Sequence, residues 1–154
     1  MFKPLTTWIH GILENAENER SFTGDDHRLA VAALLVHLIA VDGVITDDER
    51  KRLREVLSKQ FELDAGDTER LVAEARRRDE DAVDLYGFTS VLKRMLDEPG
   101  RAQVVEMMWQ LVFADGKISE FEDNMVWRVA ELLAVSPRER IALKRKVEAS
   151  LGAS

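Results

Sequence analysis

Apolar residues recur along this chain in two patterns. In the first they cover every side of a helix. "LAVAALLVHLIAV" lies within Asp26–Val41, and Val104, Val105, Met107, Met108, Trp109, Leu111, Val112 and Phe113 lie within Ala102–Ala114, leaving almost no polar face. A helix that is hydrophobic all round belongs at the centre of a bundle. In the second pattern the apolar residues form one stripe at helical spacing, which predicts connecting helices over Asp67–Arg78 and Val83–Leu96. Leu5, Trp8, Ile9, Ile12 and Leu13 form such a stripe near the N-terminus, with a polar linker after it. No segment alternates with the period of a strand.

The two all-apolar helices share a sequel. Asp42, Gly43, Ile45, Thr46, Asp47 and Glu49 recur as Asp115, Gly116, Ile118, Ser119, Glu120 and Glu122, at a constant separation of 73 residues. Leu53 and Val56 recur as Val126 and Val129, and after a one-residue gap Phe61–Asp64 matches Leu133–Ser136. Self-similarity of this kind points to an internal repeat. Thr46/Glu49, Ser119/Glu122 and Ser136/Glu139 each fit the capping box that opens a helix, and Pro137 suits a first helical position. "DEPGR", Asp97 to Arg101, is expected to break the chain before the second central helix. The expectation is an all-α, single-domain helical bundle of about seven or eight helices built from two pseudo-symmetric repeats. Residues 1–24 form an N-terminal amphipathic segment and linker. Residues 25–150 form the helical domain, with repeat one over about 26–80 and repeat two over about 100–150.

Composition removes several functional classes. The 154 residues include no cysteine, which excludes disulfides, thiolate zinc and cysteine nucleophiles. A net charge of −7 argues against nucleic-acid binding, which rests on phosphate neutralisation. The one dense basic run, Arg76 to Arg78, is bracketed by Glu74, Asp79, Glu80 and Asp81, as expected of a solvated helix end. No apolar run is long enough to span a bilayer, and no signal peptide is evident, so a cytoplasmic location is the expectation. The N-terminal stripe reads either as a helix docked on the domain or as an anchor for a partner or membrane surface. Its polar face is acidic, which weighs against the membrane. There is no GxSxG, Gly-rich phosphate loop, HExxH or ExxH. His37 in the first central helix matches Gln110 in the second, and the pair suggests a hydrogen-bonded layer in the core. Trp109 and Trp127 are expected in the core; Phe2 and Trp8 are the aromatics expected to meet a partner.

The acidic corners are the remaining chemistry. Aligning Gly116 with the invariant glycine of an EF-hand loop puts Asp115, Ser119 and Glu122 at ligand positions. The first and third positions then fall on Leu111 and Phe113, or on Leu38 and Ala40 in the other copy, so half the oxygen shell is missing. Neither corner is an EF-hand. Gly43 and Gly116 suit helix ends, Thr46 and Ser119 suit caps, and Asp47, Glu49, Glu120 and Glu122 suit the positive end of a helix dipole. Asp42 and Asp115 are not required by that scheme, because a carboxylate at a helix C-terminus needs a partner. Either they bond to corner N–H groups, or they meet across a pseudo-twofold axis and share a divalent cation.

"VDGVITDDE" and "ADGKISEFE", each after an Ala/Leu/Val-rich helix, together with "LLAVSPRE", resemble the TerB (tellurite-resistance) family over roughly Asp25–Glu148. The resemblance implies an all-helical, duplicated fold in a bacterial cytoplasmic protein linked to tellurite and general stress resistance, with no established enzymatic activity. It implies protein partners, including membrane-bound Ter-type proteins, and metal binding at acidic corners. Carried onto this chain, the metal candidates are Asp42, Glu49, Asp115 and Glu122, flanked by Asp47 and Glu120, with calcium, magnesium, manganese or zinc as the cation. Val41 stands where the second copy has Ala114. The alternatives are a metal-dependent hydrolase using the same carboxylates and a purely structural partner-binding helical module.

Overall fold

The computed structural model describes residues 26–40, 43, 45–81, 85–115 and 118–152. Among them are seven α-helices and no strand: α1 (His27–Ala40), α2 (Asp47–Phe61), α3 (Ala65–Asp81), α4 (Tyr86–Met95), α5 (Glu98–Val112), α6 (Glu120–Leu132) and α7 (Pro137–Gly152). A 3-10 turn, Phe113–Asp115, closes α5. The N-terminal amphipathic segment lies outside the described residues.

The two all-apolar helices are the centre, as their patterns require. α1 buries ten of its 14 residues and packs against α2, α3, α4, α5 and α6. α5 packs against α1, α2, α6 and α7. Each fully buried Leu or Val contributes on the order of 1.5–3 kcal/mol of transfer free energy. Ala30, Ala32 and Ala33 on α1 are buried with its larger apolar side chains. Trp109 on α5 ties α7 to the core: it is buried, its Nε1–H donates to the Arg140 carbonyl at 3.2 Å, and Lys144 Nζ lies 5.1 Å above its ring.

The helices that leave the two corners also end alike. Glu62 after α2 and Ala134 after α6 both take left-handed backbone, φ 52° and 60°. Leu63 N–H then donates to the Ser58 carbonyl at 3.0 Å, and Val135 N–H to the Ala130 carbonyl at 2.8 Å, the six-to-one closure of a Schellman motif. Asp64 and Ser136 follow as the next caps, accepting from the Asp67 and Glu139 N–H groups at 2.7 and 3.1 Å.

Four sequence expectations change. "DEPGR" opens α5 rather than breaking the chain before it. Asp97 Oδ1 accepts from Gly100 N–H at 2.9 Å, and Pro99 occupies the first turn, where its missing N–H is harmless. A Cβ on Gly100 would press on Asp97 Oδ1 at 3.1 Å and Leu96 Cβ at 3.2 Å, so glycine fits this cap tightly. α3 is longer than Asp67–Arg78, and α4 shorter than Val83–Leu96. His37 is not part of a buried layer with Gln110; it is half-exposed, and its Nδ1 sits 2.7 Å from Asp79 Oδ1 on α3. Trp127 is 43% exposed rather than core, because the inward positions of α6 are taken by Met125, Val126, Val129 and Ala130. The basic run is a solvated helix end as expected, with Arg77 and Arg78 both paired to Glu74.

Candidate functional site: the two helix corners

At the first corner α1 stops at Ala40, and Gly43 N–H returns to the Ala40 carbonyl at 3.0 Å with φ +83°, a conformation that glycine adopts without a Cβ clash. Ile45 then packs against the core, and Thr46 caps α2. Its hydroxyl accepts from Glu49 N–H at 3.1 Å, and Glu49 Oε1 accepts from Thr46 N–H at 2.9 Å. At the second corner Ser119 Oγ accepts from Glu122 N–H at 3.1 Å, and Glu122 Oε1 accepts from Ser119 N–H at 3.3 Å. Both boxes are reciprocal, as the sequence predicts. At Ser136 the hydroxyl bond to Glu139 forms, and the return bond does not.

The surprise lies in burial. Glu49 is 4% exposed and Glu122 5%, the only buried carboxylates among the described residues. Capping glutamates ordinarily sit in solvent. These two are drawn inward because the first turns of α2 and α6 are packed within the bundle: α2 lies against α5 and its 3-10 turn, and α6 lies against α1. Each helix leaving one corner therefore rests on the helix entering the other. The backbone N–H of the cap and the positive end of the helix dipole offset the cost of taking a carboxylate out of water.

The other candidates fall elsewhere. Asp47 is fully exposed and 3.8 Å from Arg50 Nη1; Glu120 is exposed. Asp42 and Gly116 lie outside the described residues. Asp115 closes the 3-10 turn, and the position of its carboxylate lies outside the description. Among the described residues no group of three or more His, Asp or Glu stands close enough together to hold a metal ion. A cavity of about 500 Å³ between α2, α5 and α7 is lined by other residues, among them Arg52, Lys59, Glu106 and Lys146.

Two polar links carry no sequence signal. The His37–Asp79 pair joins the last turns of α1 and α3, and no spacing in the chain announces it. At the other end of α1, Asp26 accepts from the backbone and guanidinium of Arg28 at 2.9 and 2.8 Å. Burial works to raise the Asp26 pKa, but the Arg28 hydrogen bonds and charge outweigh it and hold the carboxyl below its ordinary value.

Among the described residues five helices packed around two apolar ones, with a reciprocal cap at each corner, define an all-α domain. Residues 28–145 match the family described as tellurite resistance protein TerB, and the chain belongs to that family. No curated protein and no solved structure shows a significant match. Among the described residues no helix is long and apolar enough to cross a membrane.

Proposed function

We propose that this chain is a non-enzymatic interaction domain of tellurite and general stress resistance, acting in the cytoplasm through protein partners, some of them membrane-bound, with a divalent cation at its twin corners. Family membership supports the resistance role. The observation that carries the corner reading is the pair of buried capping glutamates, Glu49 and Glu122, on helices that rest on each other's incoming partners. The matching caps, and the matching left-handed residues Glu62 and Ala134, support two pseudo-symmetric repeats whose corners face one another.

On this reading Asp42 and Asp115 supply the direct oxygen contacts to calcium, magnesium, manganese or zinc. Glu49 and Glu122 fix the corner backbone, and Asp47 and Glu120 add negative charge from solvent. The cation then serves as structure or signal and performs no reaction. Calorimetric titration of the full chain with each of the four cations tests this. Saturable heat that Asp42→Asn with Asp115→Asn abolishes is expected. Absence of binding below the millimolar range overturns the cation half of the proposal.

A further inference from the structure

The outward stripe of α6 is complementary to itself when reversed. From Glu120 to Arg128 its exposed residues are Glu120, Phe121, Asn124, Trp127 and Arg128. Asn124 stands at the centre. An aromatic residue lies three positions to either side of it, and opposite charges lie four positions to either side. Phe121 is 63% exposed and Trp127 43%. Tyr86 and Ile141, also exposed, lie on α4 and α7, both packed against α6. Exposed aromatic residues gathered on one helix face mark a contact surface rather than a solvated one. Glu120 and Arg128 make no ion pair among the described residues, whereas Asp123 beside them is held by Lys144 at 3.4 Å.

Residues 120, 124 and 128 form one row at four-residue spacing, with Phe121 on one side of it and Trp127 on the other. Two copies can lay these rows along each other in opposite directions across a twofold axis. The helices then cross at about −50°, the commonest class of helix packing. Glu120 meets Arg128 of the second copy, twice by symmetry. Asn124 meets its own counterpart at the axis, where one side-chain amide supplies both donors and an acceptor. Phe121 and Trp127 each meet their own counterparts beside the row. A parallel pairing would instead set Glu120 on Glu120 and Arg128 on Arg128, so charge fixes the antiparallel sense.

We propose that this chain forms a homodimer through α6, with Phe121, Asn124 and Trp127 at the core of the interface and two Glu120–Arg128 pairs at its ends. Such an interface is isologous: the same patch serves both subunits. It is independent of the cation reading, since it uses none of the acids proposed to touch the metal.

Sedimentation equilibrium of the full chain tests this, in EDTA so that divalent cations play no part. The wild type is expected at twice the chain mass. Glu120→Arg sets two arginines against each other at each end of the interface, and Arg128→Glu sets two glutamates. Each single variant is therefore expected at the single-chain mass. The double variant restores both pairs with their signs exchanged and should dimerise again. The two single variants, mixed, should also form a dimer, because each supplies the charge the other lacks. Recovery on mixing separates lost association from lost folding. A wild type that stays at the single-chain mass overturns the proposal and leaves the face to a different protein. So does a dimer that both single variants preserve, which places the interface elsewhere. Single variants that remain apart when mixed overturn it as well.

Discussion

Glu62 and Ala134 hold the same left-handed backbone conformation at the ends of α2 and α6, and neither is a glycine. For an L-residue that conformation costs about 1 kcal/mol. Glycine removes the clash but has more freedom to lose on folding. Glu62→Gly and Ala134→Gly should therefore each stabilise the chain by about 0.5 kcal/mol, read from urea unfolding midpoints. Gly43→Ala, at φ +83°, should destabilise it by about 1 kcal/mol. Destabilisation by Ala134→Gly would contradict the backbone geometry described.

The capping boxes allow a graded comparison. Thr46→Ala and Ser119→Ala each remove one cap bond and should cost about 1 kcal/mol. Glu49→Ala and Glu122→Ala remove a buried carboxylate and orphan a backbone N–H, which should cost about 1–3 kcal/mol. Glu139→Ala, where no return bond exists, should change stability by less than about 0.5 kcal/mol. If the three glutamates behave alike, burial at the twin corners has no energetic meaning.

Trp109→Phe keeps most of the buried ring but removes the donor to the Arg140 carbonyl. The loss should be about 1–3 kcal/mol, combining one lost hydrogen bond with the smaller side chain. Hydrogen exchange should show the loosening first in α7, which this bond helps to hold on α5.

The Asp26 carboxyl has a depressed pKa in the folded state, so its contribution is present above the unfolded pKa and fades as pH falls through the folded one. Asp26→Asn keeps a capping side chain and removes the charge. It should destabilise the chain by up to about 1 kcal/mol at neutral pH, with the difference vanishing in acid below the carboxylate range. A difference that persists in acid would assign the effect to helix capping rather than to Arg28.

The central helices were legible because all-round hydrophobicity has one structural solution. The corners were legible because caps are local: Gly43, Thr46 and Ser119 each meet a backbone need set by their immediate neighbours. Three kinds of feature stayed hidden. Glu62 and Ala134 carry a glycine's conformation without its residue type. Asp97 caps α5 through a Pro-Gly pair that reads as a break. His37–Asp79 and the exposure of Trp127 depend on which helices become neighbours, which no period in one helix records. Capping-box spacing explained the caps at Glu49 and Glu122, and the family resemblance made them candidates. Their burial is a tertiary fact, set by α2 lying on α5 and α6 lying on α1.

Thermal unfolding of the full chain with and without added cation, in the wild type and in Asp42→Asn/Asp115→Asn, tests the proposed corner role most directly. A ligand held only by the folded state raises its melting temperature. The proposal requires a rise in the wild type with at least one of calcium, magnesium, manganese or zinc, and none in the double variant. No rise in the wild type, or an equal rise in both, would contradict it.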